Sequence, residues 1–272
     1  MTPTSGSAPP EPFSVAHLSD PHISLEDPES SAVTGLALAI NRVLALRPHP
    51  TCVVITGDLT DTAHPVEYGA LRAIIAGFPI PVHVATGNHD DHQNLISAFK
   101  GGVQLGGGDS CHYLVEYPGF TLVVLDSLVP GAAGGFLGTD QLNWLDAALE
   151  KRPDVPALVC VHHPPVPVGM PFADGMRLDD GPALEEVVAR HPNVVRVLAG
   201  HVHRPTVTGF GGSILATAPS THQQSRLKME GEGPMGFTEE PTAFLLHQET
   251  EHGWVTHTVQ VSHSEGVPDL SS

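Results

Sequence analysis

Apolar residues along this chain fall into short continuous runs, separated by polar loops and by stretches with helical spacing. Residues 13–18 predict a strand, and residues 32–46 carry the apolar period of a helix. The run TCVVIT at 51–56 is apolar throughout, as in a strand covered on both faces. A helix is expected over 66–76 and a short strand over 82–85. Residues 112–116 and 121–125 flank Tyr117-Pro118-Gly119-Phe120, which predicts a hairpin. Thr139 is the expected cap of a helix running to Leu149, with Asp140 favourable in its first turn. Strands at 157–161 and 194–199 enclose a helix near 182–190. From Thr206 onward short strands alternate with Gly turns, at 206–210, 213–217, 243–247 and 254–261.

Alternating βα units followed by a run of strands predict an α/β fold: a four-layer αββα sandwich of two mixed sheets with helices outside. Residues 13–261 are expected to form one domain, between a Pro/Ser/Gly-rich flexible leader at 1–12 and a flexible tail at 262–272. The Gly/Glu-rich stretch 223–241 is weakly patterned and reads as a long loop near the site or at an interface, the latter in a homo-oligomer.

Composition narrows the chemistry. A formal charge of −18, with 12 Lys+Arg against 30 Asp+Glu, lacks the basic surface that grips a long polyanion, so long nucleic acid is not an expected partner. No apolar run approaches the roughly 18 residues of a spanning helix, and the N-terminus lacks a secretory pattern. No membrane association and a cytoplasmic location are therefore expected. Cys52, Cys111 and Cys160 sit in apolar stretches without CxxC spacing and read as buried free thiols. Eighteen histidines point instead toward metal.

Five polar segments each begin where an apolar strand ends: Ser19-Asp20-Pro21-His22, Gly57-Asp58-Leu59-Thr60-Asp61, Gly87-Asn88-His89-Asp90, His162-His163-Pro164-Pro165 and Gly200-His201-Val202-His203. Ligands of an open α/β sheet bind outside the carboxyl ends of its strands, so these loops can converge on one crevice. Carboxylate, amide and imidazole donors suit Mn, Fe, Zn or Co, and no segment contains a Cys. Asp58 is the candidate bridge between two ions.

These motifs resemble those of the calcineurin-like metallophosphoesterases, namely DxH, GDxxD, GNHD/E, a His beside PP, and GHxH, all present in the family's order from Asp20 to His203. The resemblance implies a first metal on Asp20, His22, Asp58 and His203, and a second on Asp58, Asn88, His162 and His201. It places His89 against the phosphoryl group as the catalytic residue rather than a ligand. The GNHD form, the HHPP stretch and Pro219-Ser220-Thr221 are similar to the branch of class III cyclic-nucleotide phosphodiesterases and bacterial glycerophosphodiesterases. That branch implies substrate contacts from His222 and Gln223. The expected reaction is hydrolysis of a small phosphodiester, a cyclic nucleotide or a glycerophosphodiester. Two divalent ions about 3.5–4 Å apart would activate a water and clamp the ester.

Residues near the motifs also admit plainer readings. Asp61 reads as a loop cap or helix start, and His163 as a neighbour that orients His162 or contacts substrate. His17 reads as a packed core histidine, while His112, His247 and His257 read as exposed strand faces. His64, Asp91 and His92 fall in loops near the motifs, as substrate contacts or as solvated loop residues, and Asp126 matches no ligand position. The same donors would also serve a phosphomonoesterase or a nucleotide-diphosphate-conjugate pyrophosphatase. A non-catalytic scaffold is the remaining alternative, although no ligand residue is missing here.

Overall fold

A computed structural model describes residues 12–24 and 31–261. The segments 1–11 and 262–272, expected as leader and tail, lie outside the described residues. The first half runs β1 (Ser14–Leu18), α1 (Ser31–Ala45), β2 (Cys52–Ile55), α2 (Pro65–Ile75), β3 (Val82–Val84), α3 (His92–Phe99), β4 (Tyr113–Glu116) and β5 (Thr121–Val124). It continues with α4 (Gly138–Leu149), β6 (Ala157–Cys160), α5 (Pro171–Asp174), α6 (Gly181–Arg190), β7 (Val194–Ala199), β8 (Thr206–Phe210) and β9 (Ser213–Thr217). The last strands are β10 (Gln224–Ser225), β11 (Phe237–Thr238), β12 (Ala243–Thr250) and β13 (Gly253–Gln260).

Two mixed sheets result. One has the order β13-β12-β1-β2-β3 and the other β4-β5-β6-β7-β9-β8. Strands β1, β2 and β3 are parallel, as are β5, β6 and β7, each step crossing over through a helix. Period-two alternation separates the faces of the second sheet. Leu122, Val124, Leu158, Cys160 and Leu198 join the core formed with β1 and β2. Their neighbours Val123, Val159, Val161 and Val197 pack instead with Leu142 and Leu145 of α4 and Leu184 and Val188 of α6. One set of side chains lies between the sheets and the other lies under helices, which is the expected layering.

Three expectations need correction. His247 is fully buried, because its ring packs between His17 of β1 and Thr256 of β13, with Nδ1 2.9 Å from Thr256 Oγ1. Its Nε2 meets Nδ1 of His17 at 3.3 Å, and burial pushes the His17 pKa down to about 3. Thr139 lies inside α4 rather than capping it. The Asp180 carboxylate accepts the Leu137 and Gly138 N–H groups, at 3.1 and 2.8 Å. Within 223–241, expected as loop throughout, β10 and β11 pair as a short antiparallel ribbon.

Candidate metal centre

The loops after β1 and β2 remain laced together beyond the strand ends. Asp20 N donates to Gly57 O at 3.1 Å, His22 N to Asp58 O at 3.0 Å, and Ile23 N to Leu59 O at 3.1 Å. Such bonds hold a backbone that side-chain-bearing residues resist. Six non-Gly residues have positive φ among the described residues, and five of them are Asp20, His22, Asp58, His201 and His203. Each such residue costs roughly 1–3 kcal/mol, so the left-handed turns are imposed by their surroundings and aim these side chains inward. Glycine provides the clearance. A Cβ on Gly87 would stand 2.3 Å from both N and Oδ1 of Asp58, and one on Gly57 would stand 2.6 Å from His162 Nδ1.

The side chains form two groups that share Asp58. Donor atoms of Asp20, His22, Asp58 and His203 all lie within 4.8 Å of one another. Asp58 Oδ2 lies 3.5 Å from His22 Nε2, and Asp58 Oδ1 lies 3.4 Å from His162 Nε2. The two carboxylate oxygens therefore face different groups. In the second, Asn88 Oδ1 stands 3.2 Å from His162 Nε2 and 3.0 Å from His201 Nδ1. Remote imidazole nitrogens are fixed from behind: His162 Nδ1 donates to Thr56 O at 2.7 Å and His203 Nδ1 to Gln223 O at 2.9 Å. Those bonds leave Nε2 of each ring facing the cluster, the arrangement of a metal-ligating histidine.

Charge in the cluster is coupled. Burial opposes ionisation of Asp58, yet the adjacent His162, His22 and His89 hold its pKa well below the usual carboxylate range. Burial likewise disfavours imidazolium at His162, but the charge and hydrogen bond of Asp58 outweigh it and raise the pKa to about 9. His22 is also raised: burial opposes, while Asp61, Asp58 and Asp20 favour the cation. His201 goes the other way, to about 3, through burial and the proximity of His162. Its Nε2 is buried without a hydrogen-bond partner, and Nε2 of His22 faces Nε2 of His203 at 3.0 Å. Converging imidazole nitrogens with buried carboxylates are poorly satisfied by one another and well satisfied by cations. The residues present fit divalent metal.

All seven proposed ligand residues meet at this place. His89 lies at its rim, its side chain 41 % exposed, with Nδ1 donating to Asp61 O at 2.9 Å. His222 and Gln223 line the same cavity. His163 does not line it; it is fully buried behind His162 and His201, with Nδ1 against Ser127 Oγ at 2.8 Å. Asp61 is no helix cap, since His64 caps α2, and its carboxylate instead lies 3.3 Å from His22 Nδ1. Asp90 was legible only as the last letter of GNHD. Its buried carboxylate accepts from Gly87 N, Leu59 N and Tyr68 Oη, at 2.9, 3.1 and 3.0 Å, tying the second and third loops together.

The cavity measures about 450 Å³. His22, Asp61, His89, His203 and His222 line it with polar groups and Phe172, Met176, Met235 and Phe237 with apolar ones, the Phe237 ring lying 6.0 Å from that of His203. No Lys or Arg among the described residues lines it. Burial, aided by His22 and His203, lowers the His222 pKa to about 4, so this ring is neutral at pH 7.

A sulfur-free donor set at the strand ends of two facing sheets, opening on a cavity that no described Lys or Arg lines, is the site of a metal-dependent protein. The calcineurin-like phosphoesterase family model matches residues 13–205, and the chain belongs to that family. Over 93 % of this chain and 92 % of its own length, a glycerophosphodiester phosphodiesterase of Enterobacter lignolyticus is 29 % identical. A probable cyclic nucleotide phosphodiesterase of Rhodococcus erythropolis is 33 % identical, covering 82 % of this chain and 75 % of its own. Among solved structures, a dimetal phosphatase from Danio rerio superposes with a TM-score of 0.67 at 19 % identity, over 93 % of this chain and 100 % of that one, which establishes likeness of fold. No helix among the described residues is long and apolar enough to cross a membrane.

Proposed function

We propose that this metallophosphoesterase is a two-metal phosphodiesterase whose preferred substrate is a cyclic nucleotide. The observation that carries the two-metal reading is Asp58, whose oxygens face two separate donor groups at 3.5 and 3.4 Å. Asp20, His22, Asp58 and His203 would hold one ion, and Asp58, Asn88, His162 and His201 the other. Bound divalent ions, Mn, Fe, Zn or Co by donor type, would supply Lewis acidity toward the phosphoryl oxygens and toward a water molecule. The remaining work falls to the protein. His89, with Nδ1 committed to Asp61 O, has Nε2 as the nitrogen for proton donation to the leaving oxygen. Asp61 orients His22 from behind. His222 supplies a neutral hydrogen-bonding group beside the cluster.

The apolar part of the lining supports a nucleotide. Phe172, Met176, Met235 and Phe237 offer contacts for a flat base, whereas a glycerol moiety would leave these side chains in water. A glycerophosphodiester is the second reading, favoured by the Enterobacter relative that spans nearly the whole chain. Turnover of 3′,5′- and 2′,3′-cyclic nucleotides, glycerophosphodiesters, bis(p-nitrophenyl) phosphate and p-nitrophenyl phosphate, each with Mn, Fe(II), Zn and Co, tests both readings. We expect kcat/KM highest for a cyclic nucleotide. Preference for a glycerophosphodiester would select the second reading, and preference for the monoester would reject phosphodiesterase function.

A further inference from the structure

Away from the cavity, three side chains with metal-ligating atoms meet at a second place. His92 opens α3, Cys111 lies just before β4, and Asp126 follows β5. Their donor atoms all lie within 4.8 Å of one another, and none of the three lines the cavity.

Asp126 is held unusually firmly. Thr86 Oγ1 and Leu128 N donate to its Oδ1 at 2.6 and 3.1 Å. The Gln141 amide bonds its backbone N and O, both at 2.7 Å. Those bonds leave Oδ2 directed toward His92, whose Nε2 lies 2.8 Å away. The nitrogen makes no well-aligned hydrogen bond, yet the Asp126 carboxylate, through this close contact and its charge, raises the His92 pKa against burial. Cys111 completes the triangle at 5 % exposure. Burial pushes its thiol up to about 12, with Asp126, Asp90 and Asp91 adding to the effect. A thiol so protonated is no nucleophile, but the nearby carboxylates that add to the effect of burial attract a cation.

We propose that His92, Cys111 and Asp126 bind a further divalent cation of the zinc class, distinct from the ions of the catalytic cluster. One imidazole, one thiolate and one carboxylate match the borderline softness of zinc, and three protein ligands leave a fourth position for water. Binding releases the thiol proton to solvent, together with the Nε2 proton where the imidazole carries it, and the thiolate then neutralises part of the ion's charge. Tetrahedral bonds of about 2.0–2.3 Å put ligand atoms roughly 3.3–3.8 Å apart, so the His92–Asp126 pair at 2.8 Å opens slightly while separations that reach up to 4.8 Å close. Through the Thr86–Asp126 bond the ion would brace the segment leading into Gly87 and Asn88.

Sulfur ligation makes the test specific, because no catalytic-cluster residue is a cysteine. Cobalt(II)-loaded protein is expected to show sulfur-to-cobalt charge-transfer absorption in the near ultraviolet. That absorption should persist in Cys52→Ser and Cys160→Ser, vanish in Cys111→Ser, and be bleached by added zinc. Metal analysis of zinc-saturated protein should find one equivalent fewer in Cys111→Ser than in wild type. His92→Gln, which keeps every thiol, should weaken cobalt binding at the absorbing site by about 10-fold or more. It also serves as the arm to read if Cys111→Ser fails to fold. Absence of the band in cobalt-saturated wild type would overturn the proposal. So would its survival in Cys111→Ser, equal zinc content in the two proteins, or an unchanged cobalt titration in His92→Gln. Any of these leaves the phosphodiesterase reading intact.

Discussion

The backbone N–H of His89 donates to Asp58 Oδ1 at 2.9 Å, so the residue after Asn88 is tied to the shared carboxylate through its main chain while its imidazole is bonded to Asp61 O instead. That separation predicts a split phenotype. His89→Ala should retain normal metal content, because the backbone bond to Asp58 survives, yet lose kcat by about 10²–10⁴-fold. If the ring protonates the leaving oxygen, the loss shrinks for nitrophenolate, which needs little protonation. Loss of a metal equivalent in this variant, seen by metal analysis, would make His89 a ligand instead.

Asp58 carries the opposite expectation. Removing its carboxylate withdraws one oxygen from each donor group, takes from His162 the main cause of its raised pKa, and leaves His22 with Asp61 and Asp20 alone. Asp58→Ala should therefore lose affinity for both ions together and abolish turnover, with the far-ultraviolet dichroism of the fold retained. A variant that still binds two ions with wild-type affinity and turns over substrate would rule out the shared-carboxylate arrangement.

Much of this architecture was legible from the chain because its signals are local. The apolar runs of β2 and β6 are covered on both faces, and each ends directly at a polar motif. What was illegible depends on distant partners. His247 is buried because it meets His17, 230 residues away in sequence. The start of α4 is capped by Asp180, 42 residues beyond Gly138. Helix α3 buries only Leu95 and Phe99, too few positions to set a period, so Asp91 and His92 read as loop. Asp61 was visible within its motif, but its role depends on the His22 ring across the loop.

Two glycines should respond in opposite ways to the same methyl group. A Cβ on Gly87 would meet the backbone N and Oδ1 of Asp58 at 2.3 Å, and main chain cannot step aside cheaply. Gly87→Ala should destabilise by about 1–3 kcal/mol and reduce metal affinity. Gly69 lies in α2 with nothing within 4 Å of its would-be Cβ. Gly69→Ala should stabilise by about 0.5–1 kcal/mol without touching activity. Urea midpoints at unchanged m-value, measured with metal titrations, check both; a Gly87→Ala protein as stable as wild type contradicts the close packing.

The coupling of His162 to Asp58 sets a pH dependence for metal binding. Without metal the His162 pKa is about 9, so at pH 7 an incoming ion must displace its proton. Below pH 9, apparent affinity for the ion on His162 should rise about tenfold per pH unit from this single proton, since one unit corresponds to 1.36 kcal/mol. Stability of the metal-free protein should run the other way. The folded pKa lies above the ordinary 6.5, so the stabilisation from charged His162 is complete below about pH 6.5 and disappears as pH rises through about 9. The lowered pKa of Asp58 contributes nothing to that slope, because its carboxylate is already ionised throughout the window. His22, also raised, acts in the same direction as His162. Histidines with lowered pKa values, among them His17, His201 and His222, gain stability as pH rises through about 6.5, so the fall belongs above them: from about pH 7.5 to 9 the melting temperature of metal-free protein should drop while metal affinity climbs. Calorimetric titrations in buffers of different ionisation enthalpy should detect the released proton. Metal affinity and proton release both independent of pH across this window would show that His162 does not hold a proton that the ion must replace.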